Sequence, residues 1–257
     1  MSTRTYYDPL HQSIKLNSSI PEEKMVMELI DSSPFQRLRR IKQLGPAYLT
    51  FHGAESSRFT HSLGVFHLAR RAVNHLSTFD YGLKKYKFIL YGAALLHDLG
   101  HGPLSHTSEE IFKIKHEDWT AKLINSSQEI TMILNRYGEG NSKAIADLIQ
   151  SRKAEKKIII SLISSQLDCD RLDYLMRDSY TTGARYGQLD IDRIISAMTI
   201  APDGDLAIHP KGLMAVEHYL VIRNLMYRSV YNHRLNEVCN WLLEQIIKTA
   251  RKIGPKN

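Results

Sequence analysis

Cysteine is nearly missing: Cys169 and Cys239 are the only two in 257 residues, and neither sits in a paired motif. A disulfide framework is therefore not expected, and a reducing cytosol is the simplest compartment. No apolar run reaches the roughly 18 residues of a membrane span. The opening MSTRTYYDPLHQSIKL lacks the apolar core of a secretory signal, so no membrane partner is expected. Internal repeats, low-complexity tracts and linkers are absent as well, which predicts one domain over 1–257, long enough for a substantial core. What is there, 43% hydrophobic and 24% charged residues, fits an ordinary soluble globular protein.

An acidic surplus is also lacking. Net charge is +7 with the histidines neutral, and the excess gathers in RLRRIK (37–42), SRKAEKK (151–157) and KTARKIGPK (248–256). Such clusters suit an anionic partner, nucleotide phosphates or nucleic acid. The last two read as solvated helix faces or ends. In the first, Leu38 and Ile41 are interleaved with the arginines, which places part of it near a core.

Helical periodicity covers most of the chain. Helices are predicted over 21–31, 34–43, 61–77, 84–98, 116–125, 128–136, 141–151, 155–166, 167–181 and 190–197, and a long one over about 212–251. Pro21 followed by Glu22 and Glu23 is a favourable helix start. The one hairpin expected is AMTIAPDGDLAIHP, turning at Pro202-Asp203-Gly204. The fold class is mainly α with one small β-hairpin.

Candidate ligands emerge from helix faces. In HSLGVFHLARRAVNHL, Val65, Ala69, Ala72 and Leu76 form a stripe that begins at His61, so His61 opens the buried face. His67 shares its side with Arg70, Arg71 and Asn74 and is expected in solvent. FILYGAALLHD is apolar all round and ends in His97 and Asp98, about 100° apart around the axis. An ionised aspartate in apolar surroundings is costly unless paired or metal-bound, and the adjacent imidazole suits a divalent transition metal. A helix-capping Asp–His hydrogen bond explains the same doublet. The run from His97 to His101 mimics the HExxH pattern of zinc proteases, but that pattern needs one continuous helix, and Gly100, Gly102 and Pro103 break it. In LDCDRLDYLMRDSY, Asp170, Tyr174 and Asp178 recur at i, i+4 and i+8, with Arg171 and Arg177 at the edges. A solvated face and a face turned to metal and phosphate fit that stripe about equally.

Taken in order, His61, His97-Asp98 and Asp170 resemble the H…HD…D set of the HD-domain metal-dependent phosphohydrolases. FQRLRRIKQLGPAYLTFHGAESSRFTHSLGV, LLHDLGHGPLSH, HEDW and DCDRLDYLMRD are similar to the deoxynucleoside triphosphate triphosphohydrolases, especially the branch typified by the SAM-and-HD-domain enzyme. The likeness covers roughly residues 6–240. It implies an HD-type helical bundle with its metal core over about 35–182. It implies that His61, His97, Asp98 and Asp170 ligate one divalent metal. His101 and His116 would stand at the attacked phosphate, supported by His106 and Glu109, the latter where the family has Asp. Arg58, Arg223 and Arg171, in a place typical of Lys, would hold phosphates. Gln43 and Leu44 would approach the sugar, and Tyr174, Asp178 and Tyr231 the sugar and base, with Tyr227 where that branch has His. Asp31, Gln36 and Arg39 match positions that read an activating guanine nucleotide at a subunit interface. A homo-oligomer, a dimer or a dimer-built tetramer, is implied too.

Imidazole and carboxylate donors suit Mn, Fe, Ni, Zn or Mg. His101 occupies the position after HDxG where bimetallic HD enzymes commonly carry Lys, so one metal is expected. It would lower the pKa of a bound water and polarise a phosphoryl oxygen, and hydrolysis at the α-phosphate of a dNTP would give deoxynucleoside and triphosphate. Two alternatives stand beside this one. The substrate is another phosphoester, such as a nucleoside monophosphate, a cyclic nucleotide or a guanosine tetraphosphate alarmone. Or the protein is a nucleic-acid-binding regulator that keeps the pocket, as the basic charge would suit.

Overall fold

The computed structural model describes residues 2–254; Pro255 and Lys256, in the third basic cluster, lie outside the described residues. The chain opens with an antiparallel hairpin of β1 (Thr3–Asp8) and β2 (Gln12–Asn17), in register from Thr3↔Asn17 to Asp8↔Gln12. There follow α1 (Pro21–Asp31), α2 (Ser33–Gln36), α3 (Arg58–Leu76), α4 (Lys87–Leu96), α5 (His106–Phe112) and α6 (His116–Ser126). Next come α7 (Gln128–Arg136), α8 (Asn141–Ser151), α9 (Lys157–Ile163), α10 (Cys169–Thr182) and α11 (Ile191–Ala197). A second hairpin, β3 (Met198–Ile200) with β4 (Leu206–Ile208), turns at Pro202-Asp203-Gly204 as expected. Helices α12 (Leu213–Met226) and α13 (Arg234–Ile253) complete the described chain.

The core follows the apolar faces. Leu90 to Leu96 of α4 are buried on every side, and α4 packs on α3 and α8. The Phe66 ring of α3 meets Tyr91 edge-on at 5.3 Å. Val65, Ala69, Ala72 and Leu76 are buried, and His61 opens that face with 0% exposure. Two caps set the helix starts that matter most. Ser57 Oγ accepts from the Thr60 amide at the start of α3, and Asp168 Oδ1 accepts from the Arg171 amide at the start of α10, at 2.8 Å. His61 and Asp170 thereby sit near the first turns of two packed helices, beside the C-terminal end of α4.

The helical class holds, with four local corrections. The helix expected over 34–43 is only α2 and a 3-10 turn, Arg37–Arg40, because Ile41 is extended, Lys42 pairs with Ser57 and Gly45 adopts φ +52°. Residues 106–112, expected as loop, form α5. The long helix over 212–251 is interrupted by a π-turn at Tyr227–Tyr231, where the Asn232 amide donates to Tyr227 O. The N-terminal hairpin was not expected; Ile14 and Leu16 of β2 are fully buried at period two within a mostly polar segment. It also covers His67, which packs its ring 5.2 Å from His11 instead of facing solvent. Burial and the nearby His11 and Arg70 push the His67 pKa down to about 3.

Gly64 is where α3 and α10 approach most closely. A Cβ there would lie 1.8 Å from Asp173 Oδ1 and 2.6 Å from Arg177 Nη2. Helix propensity alone would make Gly64→Ala stabilising by about 1 kcal/mol. The expected result is the opposite sign, a loss of about 3 kcal/mol or more from disrupting a buried ion pair, read from urea unfolding of the metal-free protein. An unchanged or raised midpoint would refute this close packing.

Candidate metal and catalytic site

Three of the four expected ligands, His61, His97 and Asp170, offer donor atoms within 4.8 Å of one another, and Asp98 lies beside the two histidines. His61 Nε2 lies 3.0 Å from Asp170 Oδ1 and 3.6 Å from Asp98 Oδ2. His97 Nε2 lies 3.3 Å from His61 Nε2, 3.4 Å from Asp98 Oδ1 and 3.6 Å from Asp170 Oδ1. Two donors held at about 2.1 Å from one ion stand about 3.0 Å apart at a right angle and about 3.4 Å at a tetrahedral angle. The observed spacings fit a shared divalent cation. Asp170, with 31% of its side chain exposed, is the ligand on the open side.

The remaining nitrogens of both histidines are already engaged. His97 Nδ1 donates to Ala94 O at 2.9 Å, which leaves Nε2 as the ligand atom. His61 Nδ1 meets Asp173 Oδ2 at 2.8 Å. Asp173, 0% exposed, is also bound by His11 Nε2 at 2.6 Å and by Arg177 Nε and Nη2 at 2.7 and 2.9 Å. Arg177 Nη1 then reaches Asp8 at 2.8 Å. Such a carboxylate behind a ligating histidine fixes its tautomer and orientation. Asp173, Asp8 and His11 escaped the face reading; the i, i+4 spacing of Asp173 and Arg177 was the available signal.

Charges in this pocket are strongly coupled. Burial opposes protonation of His61, but hydrogen bonds to Asp170 and Asp173 outweigh it and raise its pKa to about 10. Burial likewise opposes a charge on His97, which the nearby Asp98 and Asp170 favour and which ends raised. Asp98 stays well below the carboxylate range in spite of burial, because the Arg58 guanidinium sits 2.5 Å away. Protons on these imidazoles balance the carboxylates, and a cation would take their place.

A second cluster adjoins the first. Glu109 Oε1 lies 2.9 Å from both His106 Nδ1 and His116 Nδ1, and His101 stacks on His116 at 4.0 Å. His101 Nε2 is 3.4 Å from Asp98 Oδ1, so the clusters touch there. Burial and then Arg58 push His101 well down. Burial also opposes charge on His116, but its hydrogen bond to Glu109 prevails and raises it.

The remaining expected residues divide. Gln43, Leu44, His106 and Tyr231 line a cavity of about 160 Å³ together with Asn236 and Asn240 of α13. Tyr174 and Tyr227 do not line it, but their rings contact Tyr231 at 5.9 and 5.1 Å. Asp178 is buried and accepts from Tyr231 Oη at 2.9 Å; burial pushes its carboxyl up to about 7. Arg171 lines another cavity of about 160 Å³ with His97, His116, Asp170 and Arg152. Arg152 comes from the second basic cluster, so that cluster is not merely a solvated helix end. Arg58 is 2% exposed, held by Asp98, Ser105 and Gln43 O. Arg223 donates to Gln166 at 2.8 Å on the surface and lines neither cavity. Arg39 donates to Gln36 at 2.7 Å, Asp31 pairs with Arg4 at 2.7 Å, and none of the three lines these cavities.

Comparison with known proteins gives the following. A family model for the HD domain matches residues 58–178, and one for an HD associated region matches residues 189–254. The uncharacterized protein YwfO of Bacillus subtilis (strain 168) is 40% identical over 254 residues, 97% of this chain and 56% of that protein. The deoxynucleoside triphosphate triphosphohydrolase SAMHD1 homolog of Dictyostelium discoideum is 31% identical over 241 residues, 88% of this chain and 46% of that protein. The crystal structure of a phosphohydrolase from Bacteroides thetaiotaomicron matches with a TM-score of 0.83 and 31% identity, over 98% of this chain and 60% of that one. The chain spans about half the length of the curated relatives it matches.

Replacing Asp173 with Asn keeps its shape but removes the charge that orients His61. Affinity for a divalent cation, measured by calorimetry, is expected to fall by about 10- to 100-fold. Equal affinities in variant and wild type would remove Asp173 from the centre. A pH effect follows as well. The ordinary imidazole value is 6.5 and His61 is raised to about 10, so the stabilisation from its proton is complete below pH 6.5 and is lost as pH rises through 10. Metal-free protein is expected to lose thermal stability between pH 7 and 10, and metal-loaded protein to lack that component. Identical melting profiles for the two forms would contradict it.

Proposed function

The chain belongs to the HD-domain phosphohydrolases, and from that premise we propose that it hydrolyses deoxynucleoside triphosphates to deoxynucleoside and triphosphate. One observation carries this choice. The ligand cluster and the histidine cluster meet at Asp98 and His101, flanked by a cavity lined by Gln43, Leu44 and Tyr231 and another lined by Arg152 and Arg171. That arrangement supports a nucleoside on one side and a phosphate chain on the other.

A divalent cation held by His61, His97, Asp98 and Asp170, with Mn among the candidates, would supply water activation and polarisation of the phosphoryl oxygen. The protein's own groups do the rest. Arg171 and Arg152 neutralise phosphate charge. His101, kept unprotonated beside Arg58, can accept a proton. His116, kept charged by Glu109, can give one to the departing 5′ oxygen. Glu109 orients His106 and His116. Arg58 serves through Asp98, which it keeps ionised, and its burial argues against a direct phosphate contact. Homo-oligomerisation, nucleotide activation near Asp31, Gln36 and Arg39, and a cytosolic setting belong to the same proposal. Among the described residues no helix is long and apolar enough to cross a membrane.

The direct test incubates the protein with each dNTP and Mn, Fe, Ni, Zn or Mg, with and without GTP, and identifies the products. Nucleoside and triphosphate are expected together, and His97→Ala or Asp98→Ala is expected to lower the rate at least about 1,000-fold with the circular dichroism unchanged. Phosphate release only from monophosphates, cyclic nucleotides or alarmones would transfer the assignment to another phosphoester. Salt-dependent RNA binding without any turnover, surviving both variants, would transfer it to a regulator.

A further inference from the structure

We propose that His101, His106, Glu109 and His116 form a second cation site, selective for a borderline-soft divalent ion such as Zn²⁺, and that filling it silences the enzyme. One ligand atom from each of these residues lies within 4.8 Å of the others. Glu109 Oε1 is 2.9 Å from His106 Nδ1 and from His116 Nδ1, and 3.6 Å from His101 Nδ1. His101 is 1% exposed, and neither of its ring nitrogens has a hydrogen-bond partner. An unpartnered buried imidazole is costly, and a ligand would relieve it. Access exists, because the His106 side chain is 68% exposed.

The donor chemistry separates this site from the first. Two imidazoles and two carboxylates suit the harder Mn²⁺ and Mg²⁺ as well as Fe²⁺. Three imidazoles and a single carboxylate favour Zn²⁺ in four-coordination. The two sets share no residue, so both can be filled at once, and Asp98 and His101 stand 3.4 Å apart at their border. A cation on the second set ties up the nitrogen lone pairs and the carboxylate that acid–base chemistry requires. The inhibitory half of the proposal rests on the hydrolase assignment; the binding half does not.

The 257-residue protein, stripped with a chelator, is loaded with Zn²⁺ or Mn²⁺, desalted, and its metal content measured by mass spectrometry. Two zinc ions per chain are expected, against one manganese. The pair His106→Ala with Glu109→Gln is expected to retain one zinc, as is the pair His97→Ala with Asp170→Asn. Bound Co²⁺ should add intense tetrahedral absorption that only the first pair abolishes. Because His106 is exposed, the first pair should keep its circular dichroism and melting profile. On manganese-loaded protein, Zn²⁺ is expected to lower turnover at least about 100-fold, reversed by a zinc-selective chelator. One zinc per wild-type chain, or two in the His106/Glu109 variant, overturns the site whether or not dNTPs are hydrolysed. Two zinc ions with undiminished turnover of the phosphoester that the protein hydrolyses overturn the inhibitory role alone.

Discussion

Asp173 is a carboxylate with no exposure to water, and the site is arranged around keeping it ionised. An unpaired buried carboxylate costs several kcal/mol. Three groups from three parts of the chain meet that demand: His11 from the N-terminal hairpin, His61 from α3 and Arg177 from α10 itself. Asp8 then satisfies the outer nitrogen of Arg177. Gly64 lets α3 come close enough for all of this, since any Cβ would occupy the Asp173 oxygen. The hairpin is thus tied to the ligand His61 through a single side chain. Its distance in sequence from the HD-domain match, residues 58–178, gives no hint of that role.

A second constraint lies at Gly100. Its missing Cβ would sit 2.2 Å from His116 O and 2.4 Å from the Thr120 amide, so only glycine lets α6 dock there. Thr120 Oγ1 accepts from the Gly100 amide at 2.8 Å and donates to His97 O at 3.0 Å. Arg37 holds Leu99 O and His101 O at 2.5 and 2.9 Å. The backbone that presents the ligand doublet therefore also fixes His101 against His116. The two clusters cannot move independently without breaking these bonds.

Legibility in the sequence followed the physics of each residue. His61, His97 and Asp98 were found because apolar periodicity identifies a buried face and makes polar residues on it conspicuous. The group of His101, His106, Glu109 and His116 came only by resemblance, since α5 has too little apolar pattern to announce itself. Asp173 was hidden because it stands among Leu172 and Leu175, where a face reading expects packing. His67 was misplaced for the opposite reason: arginines beside it signal solvent, but β1 and β2 arrive to cover it. The interruption at Tyr227–Tyr231 left apolar periodicity almost undisturbed, and a π-turn has no strong residue signature. Arg152 looked like one more charge in a basic run, and only the cavity it shares with His97, Asp170 and Arg171 shows which charge faces the site.

The histidines of one site are driven in opposite directions, and an arginine accounts for much of the difference. Burial opposes a charge on His61, His97, His101 and His116, and alone would lower each. Carboxylates reverse that for His61 and His116, which end raised. His101 lies beside the Asp98–Arg58 pair, and the guanidinium adds to burial, leaving it lowered. The same guanidinium keeps Asp98 ionised. Arg58 thus acts twice: it preserves a metal-ligating carboxylate and strips the proton from the imidazole beside it. Neighbouring groups with separated proton affinities are what acid–base chemistry at neutral pH requires. Its burial, which argues against a phosphate contact, is the condition for both effects, because water would screen a guanidinium at the surface.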